Sequence, residues 1–133
     1  MSIPVAIPDL PTAMQRYGGW AFLLTGGADG RPHAVQAVLT WDAGRLRCSA
    51  GGRTVSNATD RPSVALLWPP AEPAGHCLIV DADAEVADGG DLLLTPTRAV
   101  LHRGAVPGAD AATAFTSDCG KDCAPVALTN SEA

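Results

Sequence analysis

The chain has 133 residues, 47% of them hydrophobic and 17% charged, with a formal net charge of −5. That length suits one domain with a real core, and the balance of apolar and charged residues excludes a disordered chain. The acidic sum argues against nucleic acid as a partner, and no run approaches the roughly 20 apolar residues of a membrane-spanning helix.

The opening MSIPVAIPDLP carries three prolines and no basic stretch, so it does not read as a signal peptide, and a cytoplasmic location is expected. The cysteines Cys48, Cys77, Cys119 and Cys123 then read as reduced thiols rather than a disulfide framework. Eight arginines against one lysine, with abundant Ala and Gly, suggest a GC-rich coding sequence.

Along the chain, DLPTAMQRY (Asp9 to Tyr17) predicts a short helix with Pro11 in its first turn, ended by Gly18-Gly19. WAFLLT (Trp20 to Thr25) predicts a strand, and GGADG after it a turn on Asp29-Gly30. PHAVQAVLTW (Pro32 to Trp41) predicts a second strand, with His33, Val35, Ala37, Leu39 and Trp41 on the core face. After Asp42-Ala43-Gly44, RLRCSA (Arg45 to Ala50) predicts a third strand, polar on one side. Two consecutive hairpins imply an antiparallel sheet.

TVSNATDRP suits two turns of helix ending before Pro62, and SVALLW (Ser63 to Trp68) a fourth strand buried on both faces. The prolines of PPAEPAG force a loop. HCLIVDADAEVADG (His76 to Gly89) predicts a fifth strand whose Asp81, Asp83 and Glu85 mark the solvent face of an edge or outer strand. DLLLTPTRAVLHRGAV (Asp91 to Val106) predicts a sixth, so the expected fold is mainly β, a six-stranded antiparallel barrel with short helices. From Pro107 the chain reads as an Ala-rich tail containing Phe115, Cys119, Lys121 and Cys123.

Charge is uneven. Between Arg31 and Arg61 five arginines (31, 45, 47, 53 and 61) face only Asp42 and Asp60, so a small anion meets favourable charge there. Within that third, SAGGRTVSN offers what a phosphate needs: free backbone N–H groups, a helix start and little side-chain bulk. Arg53 adds a bidentate cation, and Ser49, Thr54, Ser56 and Asn57 add neutral donors. The spacing matches no Walker or dinucleotide motif, and a Gly-Gly turn before a capped helix explains the same residues without a ligand. His33, His76 and His102 are strand-end histidines, more often structural than chemical; His33 is the best placed. Trp41 and Trp68 can stack on a planar ring or sit in a core. Cys119 and Cys123 fall on one helical face, yet they lack the second pair of a zinc site, and no metal is expected.

The ordered series AFLLTGGADGRPHAVQAVLTWDAGRL, SAGGRTVSNATDRPSVALLW, CLIVDADAEV and LLLTPTRAVLHRG resembles the pyridoxamine 5′-phosphate oxidase-like family of FMN-binding split barrels. The matched elements are Asp29-Gly30, Arg31-Pro32-His33, Trp41-Asp42, Arg53 with Asn57, and Pro62-x-Val64-x-Leu66; many relatives carry lysine where Arg53 stands. The resemblance implies a split-barrel flavin domain over residues 1–106, with residues 107–133 as a tail in the same domain or packed on a partner. It further implies a cytoplasmic homodimeric oxidoreductase that binds FMN, or the deazaflavin coenzyme F-420, at the dimer interface and moves hydride to or from a small organic substrate. Ser49, Arg53, Thr54 and Asn57 would hold the phosphate, and the strand with His33, Val35 and Gln36 would hold the ring. The chemistry would then belong to the cofactor, which fits the absence of a nucleophile motif. For F-420 the wider basic groove that its acidic tail requires would draw on Arg45, Arg47 and Arg61. A carrier of flavin or haem without turnover is the rival reading, since fold does not fix function. A cysteine-based redox or zinc protein is a third.

Overall fold

The computed structural model describes residues 2–104. Among them eight strands form one antiparallel sheet: β1 (Ser2–Val5), β2 (Trp20–Gly26), β3 (Pro32–Val38), β4 (Thr40–Asp42), β5 (Arg45–Cys48), β6 (Ser63–Trp68), β7 (Cys77–Val86) and β8 (Leu92–His102). Their order is β3-β2-β6-β7-β8-β5-β4, with β1 added to the far half of β8. Helix α1 (Leu10–Met14) follows a 3-10 turn at Ile7–Asp9, and α2 (Gly52–Asp60) bridges β5 and β6. None of the helices described is long and apolar enough to cross a membrane.

Alternation builds the core. Leu23 of β2, Leu66 and Trp68 of β6, Leu78 and Val80 of β7, and Leu94 of β8 are fully buried on the concave face. The indole of Trp68 donates to the Gly18 carbonyl at 3.1 Å, so its one polar atom is satisfied and the ring serves as core. The β4–β5 turn places Ala43 and Gly44 at φ of 52° and 83°. Positive φ at both central residues matches the twist of a two-residue hairpin.

The split-barrel class holds, with eight strands instead of the expected six. The run from Pro32 to Trp41 breaks in two at Leu39, whose N–H donates to the Gly19 carbonyl at 2.7 Å and whose side chain is buried. That anchor bends the chain out of the β2 ladder, so β4 pairs with β5 and Trp41 leaves the core face, 38% exposed. The second additional strand is β1, whose Pro4 disguised it; an edge strand tolerates the missing N–H.

Other expectations shift by local causes. In β6 only Val64, Leu66 and Trp68 are buried, while Ala65 and Leu67 are half-buried on the convex face. The acidic face of β7 is not that of an edge, because β7 lies between β6 and β8; Glu85 instead pairs with Arg45 at 2.6 Å. In β8 the register slips opposite Asp81 and Ala82, leaving Thr97 as the extra residue beside Pro96. A bulge absorbs the proline, and the Thr97 hydroxyl donates to the Asp81 carbonyl at 3.2 Å. The tail with Phe115, Cys119, Lys121 and Cys123 lies outside the described residues.

Leu66 lies at the centre of this packing with no exposed surface. Leu66→Ala is expected to lower unfolding free energy by about 2–5 kcal/mol in a denaturant titration, the range for a truncated core leucine.

Candidate functional site

Helix α2 packs on β2 and β7, and polar contacts fix its height against the sheet. Asn57 Nδ2 donates to Thr25 Oγ1 at 3.1 Å, a bond between two buried side chains of α2 and β2. Thr54 Oγ1 lies 3.3 Å from His33 Nε2, tying the first turn of α2 to β3. At the other end Arg61 Nε donates to the Gly26 carbonyl at 2.7 Å, and its Nη2 reaches Asn57 Oδ1 at 3.5 Å. Both ends of the Asn57 amide are therefore engaged inside the protein.

The start of α2 is open. Gly51 is the N-cap, in extended backbone, and no side chain caps the helix. A Cβ placed on Gly51 or on Gly52 would meet nothing within 4 Å. Neither glycine is required by a positive φ or by a tight neighbour, so what the pair preserves is empty space before the helix's first N–H groups.

That space is a cavity of about 610 Å³. It gathers His33, Val35 and Gln36 from β3 with Ser49, Arg53 and Thr54 from the β5–α2 segment. Six of the seven cofactor residues expected from sequence thus line one cavity. Asn57, the seventh, lines the adjoining cavity of about 390 Å³, which also includes Asp29, Arg31, His33 and Arg53. Because β3 ends the sheet, its outer edge carries no strand partner among the described residues.

The arginines divide into two sets. Arg45 is paired with Glu85, Arg61 with the Gly26 carbonyl, and Arg47 with Asp42 at 2.7 Å and Asp91 at 3.4 Å. The hydrogen bond to Asp42 raises the Arg47 pKa above its ordinary value; burial opposes this and Asp91 reinforces it. None of these three, the residues expected to widen a basic groove for the acidic tail of F-420, lines either cavity. Arg31 and Arg53, by contrast, have guanidinium groups with no hydrogen bond or ion pair among the described residues, and both line the 390 Å³ cavity.

The remaining candidates lie elsewhere. Burial, and then the charge of Asp91, pushes the Cys48 thiol up, so it is no thiolate nucleophile. His76 lines a separate cavity with Arg16 and Tyr17, and the Tyr17 hydroxyl donates to the His76 carbonyl at 3.0 Å. Burial, the largest influence, also raises the Tyr17 pKa. His102 Nδ1 sits 3.2 Å from Ser2 Oγ at the β1–β8 pair. Among the described residues no cluster of His, Cys, Asp or Glu could hold a metal. Sequence reasoning did not place Arg31 at the site; its signals were the positive central third and the Arg31-Pro32-His33 element after the Asp29-Gly30 turn.

No family model matches the chain. Uncharacterized proteins of Mycobacterium bovis and Mycobacterium tuberculosis are each 36% identical to it over 141 residues, spanning 91% of this chain and 89% of their own length. Among solved structures, a Listeria innocua protein assigned as a pyridoxamine 5′-phosphate oxidase aligns with a TM-score of 0.60 at 14% identity, covering 74% of this chain and 100% of its own. A FAD-binding protein of Mesorhizobium loti gives 0.58 at 12% identity, over 79% of this chain and 99% of its own. HutZ, the haem storage protein of Vibrio cholerae, gives 0.54 at 19% identity, over 73% and 94%. At these identities the likeness is one of fold, and it is the fold that the sequence resemblance implied.

Because Asn57 bonds within the protein, its truncation should first be felt as lost stability. Asn57→Ala is expected to cost about 1–3 kcal/mol in chemical unfolding, the penalty for orphaning a buried partner.

Proposed function

The chain belongs to one family with the two mycobacterial proteins and has the split-barrel fold of the pyridoxamine 5′-phosphate oxidase-like proteins; from that premise we propose that it is a flavin- or deazaflavin-dependent oxidoreductase. FMN is the simplest cofactor that suits the site, and the reaction is hydride transfer to or from a small organic substrate. The observation that carries this reading is the uncapped, glycine-opened start of α2, with the unpaired Arg53 beside it in the same cavity as the free edge of β3.

The residues present fit the group. The first N–H groups of α2 and the Arg53 guanidinium hold a phosphate, with the Ser49 hydroxyl as a neutral donor. Thr54 is buried and its hydroxyl engages His33, so its backbone N–H serves the phosphate while its side chain sets the imidazole. The outer edge of β3 offers backbone donors and acceptors that no described strand pairs, Val35 an apolar surface and Gln36 an amide, which together suit a flat heterocycle. An isoalloxazine bound there would supply the hydride chemistry; the protein supplies orientation and a polar frame.

A homodimer belongs to the same proposal. Trp20 and Val38 face each other across β2 and β3 at the convex edge, 45% and 72% exposed, and Trp20 makes an edge-on ring contact with Phe22 at 5.5 Å. Exposed apolar side chains at a sheet edge favour burial by a second copy. The carrier reading rests on a different observation: among the described residues His33 is the single imidazole on the cavity, and no thiol, amine or carboxylate lines the 610 Å³ space with it. HutZ lends that reading a haem as an alternative cargo on the same fold.

The purified protein, titrated with FMN, is expected to develop a perturbed flavin spectrum. Arg53→Ala should weaken FMN by about 10- to 100-fold, the loss of a charge-assisted contact. Gly52→Val should abolish binding while leaving the melting temperature within a few degrees of wild type. Wild-type FMN affinity in both variants defeats the phosphate assignment. Enzyme and carrier separate on kinetics: an enzyme's reduced cofactor is reoxidised by an organic acceptor faster than by oxygen. For the dimer, Val38→Asp should turn a sedimenting dimer into a monomer.

A further inference from the structure

We infer that the groove at α2 takes a ligand with two anionic groups, the second seated in the cavity between Arg31 and Arg53 on the far side of His33. This rests on the reading of the α2 start as the seat of the first phosphate.

His33 and Arg53 line both cavities, so the two adjoin and Arg53 stands where they meet. A single phosphate at the start of α2 engages Arg53 and leaves Arg31 without a counter-charge. Arg31 is not held by the protein: its guanidinium has no partner among the described residues, whereas Arg45, Arg47 and Arg61 are all engaged. Among the described residues Asp29 is the one carboxylate on the second cavity, and its Oδ1 accepts the Arg31 backbone N–H at 3.0 Å rather than either guanidinium. Two arginines against one aspartate leave the cavity positive. Its wall is firm, because Gly27 packs so closely that an added Cβ would meet the Arg31 carbonyl oxygen at 2.9 Å.

Size points the same way. The second cavity adds about 390 Å³ of space beside the first, room for a further charged group. The second cavity therefore suits an arm that continues past the first phosphate and carries a second negative charge. Two sources carry that chemistry: the second phosphate of a dinucleotide such as FAD, or the carboxylates of an acidic side arm such as that of coenzyme F-420.

The test titrates wild type, Arg31→Ala, Arg31→Lys and Arg53→Ala with FMN, FAD, and coenzyme F-420 with and without its glutamyl residues. The expected result is that FAD or glutamylated F-420 binds more tightly than its single-phosphate counterpart. Arg31→Ala should cut that ratio at least tenfold, and Arg31→Lys should restore part of it. Loss of the ratio for FAD alone identifies a phosphate in the second seat; loss for glutamylated F-420 alone identifies carboxylates. Added salt should reduce the ratio more steeply in the wild type than in Arg31→Ala. If FMN binds with Arg53 dependence but no ligand responds to Arg31, the second seat is wrong and the first stands. If no flavin or deazaflavin binds, both readings fall.

Discussion

The site depends on one buried hydrogen bond, that from Asn57 of α2 to Thr25 of β2. Both side chains are almost fully enclosed, so neither can turn to water if the other moves away. The contact contributes little net energy when made but is expensive to leave unmade, which turns it into a constraint on position. Along a helix it fixes both translation and rotation: Thr54, three residues earlier, then meets His33 of β3, and Arg61, four later, meets the Gly26 carbonyl. With α2 so placed, its free start comes to lie over β3, and the cavity between them is a consequence.

The same logic sorts the charges. A positive central third was legible as a total, but a total does not say which arginines remain available to a ligand. Strand pairing decides that: Arg45 and Arg47 lie on β5, between the β4 hairpin and β8, and so meet Asp42, Glu85 and Asp91. Arg31 and Arg53 sit at a turn and on a helix start, where no carboxylate among the described residues is brought into reach of their guanidinium groups. The groove's charge therefore comes from residues that the sheet leaves alone.

How far the sequence could be read follows from which interactions are local. Alternation and turn chemistry are local, so the hairpin at Asp29-Gly30, the apolar run Ser63–Trp68 and the helix before Pro62 were all visible. The grouping of Ser49, Arg53 and Thr54 with His33, Val35 and Gln36 was visible only as an ordered pattern, since nothing in the periodicity of either segment requires them to meet. What escaped were non-local contacts: the Leu39 anchor to Gly19 that splits one expected strand into two, and the pairing that makes the proline-bearing Ser2–Val5 a strand. Asn57 shows the same limit: its place on the cavity wall was expected, and its partners inside the protein were not. An asparagine near a basic helix start reads as a ligand donor, and only the fold reveals Thr25 and Arg61 as its partners.

The open start of α2 carries a further consequence. A serine, threonine or aspartate at the N-cap would strengthen a nine-residue helix by only a few tenths of a kcal/mol over the Gly51 that is there, and its neighbour is Gly52. Short helices are marginal alone, so α2 relies on its buried amide and on whatever meets its first N–H groups. An anion there completes the cap, favours the positive end of the dipole and neutralises Arg53 at once. Ligand and helix then stabilise one another: binding at one hundred times the dissociation constant adds about 2.7 kcal/mol to the folded state. That exceeds what a protein side-chain cap would supply, so on the proposed reading an anion at the Gly51-Gly52 start would contribute more to α2 than a capping side chain there could.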